Sequence, residues 1–205
     1  MVPGAIFSRP DFLLVMMSST TDGKARNRRG SGGRMRLYCF PYAGGNARSI
    51  YGDWQDELYF DADVVPVDLP GRGARTGEVL LADLQPVAVQ LAAEIAAEVG
   101  GPYMFYGHSI GALVCFEVAR HLSRQHGSEP DAIFAAAFRA PHTPAARAPV
   151  HVMDDQDLLA HVVRLGGVPA RVLSEPELLK LVLPTLRADL RLSEAYELGD
   201  VHCLS

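Results

Sequence analysis

The sequence predicts one α/β domain, a mostly parallel sheet with helices on both faces. From Arg36 onward, short apolar runs alternate with amphipathic helical patterns, the sequence form of strands covered by helices. The 205 residues suffice for one substantial core, and 48% hydrophobic with 21% charged residues is a globular composition.

Leu37 to Phe40 reads as a buried strand. Ser49 is placed to cap a short helix whose apolar face carries Ile50, Trp54 and Leu58. Val64 to Leu69 reads as the next strand, and Pro66 within it points to an edge or irregular position. Leu84, Val87, Leu91, Ile95 and Val99 recur at helical spacing, and Gly100-Gly101 end that helix. Tyr103 to Tyr106 reads as a strand, Ile110 to Leu122 as a helix, and Ala132 to Phe138 as a further strand.

After Arg139 the texture changes. Pro141, Pro144 and Pro149 punctuate a loop, and helical patterns follow with no strand between them. Leu158, Leu159, Val162 and Val163 form one apolar face. Ser174 and Glu177 have capping-box spacing, Leu178 to Leu183 follow, and Pro184 is expected to interrupt before a third helix through Leu186, Leu190 and Tyr196. A helical insertion at this point either covers an active site or packs as a plain bundle.

Residues 1–35 read as a disordered extension, because residues 18–35 are rich in Ser, Thr, Gly and Arg. The apolar run Phe12 to Met17 is too short to span a membrane and lacks a signal-peptide cleavage pattern. The formal net charge of -5 argues against nucleic-acid binding, and Arg26, Arg28 and Arg29 read as a solvated tail. Cys39, Cys115 and Cys203 are widely spaced, which fits reduced thiols and a cytoplasmic setting. There is no H-E-x-x-H or clustered ligand pattern, so no metal or cofactor is expected.

Gly107-His108-Ser109-Ile110-Gly111 matches G-x-S-x-G. The five-residue match alone is weak in a chain with 19 glycines, but here it follows a strand and opens a helix. A sharp strand-to-helix turn raises a serine hydroxyl above the sheet, and the helix N-terminus directs positive potential at it. Ser109 is therefore the candidate nucleophile, with the Ile110 amide as one oxyanion donor. His108 sits in the same turn and is a poor general base, since the base must approach from a separate loop. The second donor is expected from Phe40-Pro41-Tyr42-Ala43-Gly44-Gly45, whose small residues follow an early strand.

FPYAGG, DLPGRGAR at Asp68 to Arg75, YGHSIGALVCFEVAR and FRAPHTP together resemble the successive signatures of type II (stand-alone) thioesterases. The resemblance covers residues 36 to about 200 and implies an α/β-hydrolase fold with a helical lid at about 151–197. It also implies hydrolysis of aberrant acyl groups from phosphopantetheine arms. The partners would then be acyl or peptidyl carrier domains of polyketide and non-ribosomal peptide synthetases. By position, Ser109 attacks the thioester, and the amides of Ala43 and Ile110 hold the oxyanion, with Gly44 the alternative to Ala43. No catalytic step is assigned to Arg72 or Arg75 in the PGRGAR loop.

In such a fold the acid and then the histidine follow the serine on later loops. The chain ends at Asp200 to Ser205, about where the resemblance places the strand leading to the acid, so both partners and the C-terminal strands are expected beyond Ser205. Asp157 and His161, four apart, read as a solvated pair, and His142 and His151 have no evident acid partner. An esterase or acyltransferase on the same fold, or a non-catalytic carrier-binding module, are the competing readings.

Overall fold

A computed structural model describes residues 15–17, 33–57, 62–143, 148–168 and 170–199. Its sheet has five strands: β1 (Val15–Met17), β2 (Met35–Phe40), β3 (Ala62–Pro66), β4 (Tyr103–His108) and β5 (Ala132–Ala136), in the spatial order β1-β5-β4-β2-β3. β2 to β5 run parallel, and β1 pairs antiparallel with β5. The expectation of disorder across residues 1–35 is corrected at β1, where Val15 pairs with Ala135 and Met17 with Ile133, and at Met35, which already belongs to β2. The other residues of that segment, apart from Gly33 and Arg34, lie outside the described residues. β3 ends the described sheet, so Pro66, which lacks an N–H, sits on an edge strand.

Seven α-helices are described: α1 (Ala47–Tyr51), α2 (Trp54–Glu57), α3 (Leu84–Glu98), α4 (Ile110–His121), α5 (Asp155–Arg164), α6 (Ala170–Ser174) and α7 (Pro176–Glu194). Side chains alternate across the strands, and that alternation divides the core. Tyr38, Phe40, Tyr103 and Phe105 face α3 and α4, joining Leu91, Ile95, Leu113 and Val118 in the main cluster. Leu37 and Cys39 face the other side, packing with Ala47 and Tyr51 of α1 and with Met104 and Tyr106. Aromatic edges fill the main face, with Phe40 and Phe105 ring centroids 5.3 Å apart.

Local chemistry corrects several expected boundaries. α1 is capped by Asn46, whose side chain accepts from the Ser49 amide at 2.9 Å, so Ser49 is inside the helix rather than its cap. Asp83 caps α3 in the same way and Asp154 caps α5. Ser174 ends α6 and is not the cap of α7, whose N-cap is Glu175. Pro184 does not interrupt: it lies inside α7, one continuous helix of 19 residues. Burial of Thr185, Leu186, Asp189 and Leu192 holds the helix through the proline, against a local cost of about 3 kcal/mol.

α7 crosses the carboxyl edge of the parallel strands. It meets the loop after β2 at Gly44, the loop after β3 at Arg72, and the segment after β5 at Arg139, whose Nη2 donates to Ser193 O at 3.1 Å. Past α7, the Tyr196 hydroxyl donates to Glu117 of α4 at 2.6 Å. Leu158 and Val162 of α5 are buried against Leu186 and Val150, and Ala43 packs against that cluster.

Candidate active site

Ser109 occupies the turn between β4 and α4 with φ 55 and ψ -125, one of two non-glycine residues at positive φ among those described. An L-residue adopts that conformation only when its surroundings impose it. The Ser109 amide donates to Ala136 O at 2.8 Å, locking the turn to the end of β5. Ala112 N donates back to Ser109 O at 2.9 Å, starting the helix. The flanking glycines permit the approach of backbone to backbone. A Cβ on Gly107 would lie 2.3 Å from Gly111 O, and one on Gly111 would lie 2.3 Å from Phe40 O.

That second contact places the elbow against the start of the Phe40 to Gly45 segment. Gly45 N donates to Tyr42 O at 2.9 Å, closing a β-turn over residues 42–45. Gly44 has φ +71 while Ala43 is not at positive φ, which makes it a type II turn. The Gly44 amide is already engaged, donating to Asp189 Oδ2 at 2.8 Å. Of the two amides expected at the first oxyanion position, that of Gly44 is bonded to a carboxylate. Ile110 is buried at the N-terminus of α4. The three sequence candidates, Ser109, Ile110 and Ala43, therefore sit on two loops that leave the same sheet edge from paired strands, Phe40 opposite Gly107.

His108 packs edge-on against the Tyr42 ring, with centroids 5.8 Å apart, and burial lowers its pKa. Leu158, Val162 and Leu186 come together over Ala43 as a closely packed cluster.

Other polar side chains were misjudged or missed at the sequence level. Arg72 is not a surface residue: it is 7% exposed and paired with Asp189, itself fully buried. Its Nη2 donates to Asp189 Oδ1 at 2.7 Å and its Nη1 to Oδ2. Arg75 bonds Glu78 and Glu94, bracing its loop on α3. Asp68 accepts from the Ala47 and Ala74 amides at 2.8 and 3.1 Å, tying α1 to the PGRG loop. Gly73 is required there, since a Cβ would fall 2.0 Å from Asp68 Oδ2. His151 does have an acid partner: its Nδ1 lies 2.5 Å from Glu194 Oε2. The same carboxylate accepts from the Val150 and His151 amides, so the pair fastens the segment before α5 to α7. Asp157 and His161 are on α5, and Asp200 and His202 lie outside the described residues.

Glu117 has a legible signal, a carboxylate within the apolar run ALVCFEVARHL. It is buried and accepts from Arg120 at 2.6 Å, Gln85 at 3.1 Å and Tyr196 at 2.6 Å, which satisfies its charge and joins α3, α4 and the segment after α7. Among the described residues there is no group of three or more potential metal ligands, and no helix is long and apolar enough to cross a membrane.

Comparison with known proteins agrees with this geometry. The chain is 35% identical over 167 residues to the gramicidin S biosynthesis protein GrsT of Aneurinibacillus migulanus, covering 82% of this chain and 65% of that protein. The solved structure of RedJ, a thioesterase from the prodiginine pathway of Streptomyces coelicolor, superposes with a TM-score of 0.75 at 38% identity, over 82% of this chain and 65% of that one. The type II thioesterase BorB from the borrelidin biosynthetic cluster gives a TM-score of 0.73 at 34% identity, over 83% and 69%. The chain spans about 65% of the length of the first of these relatives. The sequence model for the thioesterase domain matches residues 35–204, and the chain belongs to that family.

Proposed function

We propose that this chain carries the nucleophile and oxyanion site of a type II thioesterase, which clears acyl groups held as thioesters on phosphopantetheinyl carrier domains. The observation that carries the reading is the strained Ser109 turn set against the 42–45 turn. In the first step Ser109 Oγ forms a bond to the acyl carbon, the carbon–sulfur bond breaks, and the pantetheine sulfur leaves as the thiol with the serine proton. Water then cleaves the acyl ester and restores Ser109. The developing oxyanion is held by the amides of Ala43 and Ile110, fixed donors that need no reorganisation as charge appears. Helices α5 to α7 are read as a lid, a reading supported by the bonds of α7 to the loops after β2, β3 and β5 and by the packing of α5 with Leu186 and Ala43. Support for the substrate class comes from the relatives, which belong to biosynthetic pathways of gramicidin S, prodiginine and borrelidin.

The test compares hydrolysis of an acyl-carrier thioester with that of a simple acyl ester, for the wild type and Ser109→Ala. The expected outcome is preference for the carrier thioester and a loss of that activity in Ser109→Ala. A rate unchanged by Ser109→Ala removes the proposed nucleophile, and preference for the simple ester identifies an esterase instead.

A further inference from the structure

The buried carboxylate of Asp189 holds two different structures at once. On one side it accepts both arms of the Arg72 guanidinium, from the loop after β3. On the other its Oδ2 accepts the Gly44 amide at 2.8 Å, the N–H of the central peptide of the 42–45 turn. The central peptide is the unit that distinguishes turn types, because type I and type II differ by its rotation through about 180°. In the type II form present here the Gly44 N–H meets the carboxylate. Rotated to type I, the peptide would turn this donor away and bring the Ala43 carbonyl toward a buried negative charge. Leu186, one turn before Asp189 on α7, stands 3.3 Å from where a Gly44 Cβ would lie, so the helix also closes the space around the turn.

We propose that Asp189, oriented by Arg72, is a positioning residue that selects the type II turn at residues 42–45 and so holds in place the loop that carries the Ala43 amide; the functional half of this rests on the reading of Ser109 and Ala43 above. The oxyanion loop is thereby linked to the lid: when α7 is seated the turn is held, and when α7 lifts the turn loses its acceptor. Removing one member of a buried ion pair strands the other charge, so the informative variant removes both. Arg72→Met/Asp189→Leu keeps the approximate length and branching of each side chain, with somewhat more bulk at Leu, and deletes the acceptor.

Two measurements on this double variant decide the matter. Backbone hydrogen exchange reads the turn directly, over a peptide covering residues 41–46. Inactivation by an alkyl fluorophosphonate reads the site: Ser109 Oγ bonds to phosphorus, fluoride leaves, and a phosphoryl oxygen occupies the oxyanion position. Exchange at 41–46 should rise about tenfold and the inactivation rate constant kinact fall about tenfold, the size expected for losing one hydrogen bond to a charged group. The reversible constant KI should stay unchanged, which general loosening of the fold would not produce. Wild-type exchange at 41–46, or wild-type kinact, in the double variant overturns the proposal. If the double variant does not fold, Asp189→Asn tests the same point, because the amide is uncharged and sets an NH2 donor against either Arg72 Nη2 or the Gly44 amide, both of which need an acceptor; its turn exchange and kinact should move in the same directions, and no movement overturns the proposal. Should the wild type not be labelled at Ser109, the nucleophile reading fails, and exchange at 41–46 alone decides whether Asp189 holds the turn.

Discussion

Replacing Gly111 with alanine tests how tightly the elbow and the 42–45 turn are coupled. The added Cβ would lie 2.3 Å from Phe40 O, 2.7 Å from Phe40 C and 2.8 Å from Pro41 O. Every one of these atoms is backbone, so no side chain can swing aside. An unstrained carbon–oxygen contact is about 3.3–3.6 Å, and the start of α4 must therefore part from the Phe40-Pro41 segment by roughly 1 Å. Overpacking of this kind costs about 1–3 kcal/mol, and alanine returns up to about 1 kcal/mol as the better helix former. The net stability loss is thus small, on the order of 0–2 kcal/mol. Activity should fall much further, because the same displacement moves Ser109 away from Ala43, and a misplacement of about 1 Å can cost about 10²-fold in rate. The assay pairs urea denaturation with release of thiol from an acyl thioester. Gly100→Ala is the control, since nothing lies within 4 Å of its added Cβ. A Gly111→Ala rate close to wild type would refute the coupling of the two loops.

The remaining predictions concern the core and the helical cover. Burial pushes the Cys39 thiol up to about 12 and the Tyr103 hydroxyl to about 12, and it also raises the Cys115 thiol. In the unfolded chain these groups lose protons at lower pH than in the folded protein, so stability is flat below about pH 8.5 and falls as pH rises toward 12. Urea midpoints at pH 8, 9.5 and 10.5 should decline in that order, and a flat series refutes the assigned burial effect. At pH 8 a thiol reagent should leave Cys39 and Cys115 unmodified in the folded protein and modify both in guanidinium. Leu158→Ala empties a fully buried position in the cluster beneath α5, and should cost about 2–5 kcal/mol. Hydrogen exchange should show the loss in α5 and α7 more than in β4; equal loss throughout would mean that this cluster unfolds only with the core.

The parallel strands were legible because each is a short apolar run between helical patterns, and the Ser109 elbow because its glycines have a backbone reason to be there. Ala43 was proposed through its place after β2, and its loop leaves the same sheet edge as the elbow. Arg72 and Asp189 were not legible as partners. They lie 117 residues apart, and a charged residue in a glycine-rich loop reads as solvated until the chain that covers it is known. His151 and Glu194 were missed for the same reason, being joined only when α7 folds back over the preceding segment. Pro184 misled because its local penalty is certain, whereas the burial that outweighs it is tertiary. β1 escaped notice because three apolar residues pair only through an edge supplied by β5.

Pro184 also divides α7 mechanically. At about 1.5 Å per residue the helix is a rod of about 28 Å, and the proline cannot donate the hydrogen bond that would reach the carbonyl of Lys180. The buried residues of the rod, Thr185, Leu186, Asp189 and Leu192, all follow this weak point, while Glu177, Lys180 and Leu181 ahead of it are exposed. The helix is therefore a cantilever, clamped at its C-terminal end by the core and held more lightly toward Pro176, where Val182 and Leu183 are only partly buried. Bending concentrates where stiffness is lowest, so the lightly held arm can deflect about Pro184 without pulling the clamped part off the sheet. A deflection there would open the cover on the side of Pro176 while the part that carries Asp189 stays in place.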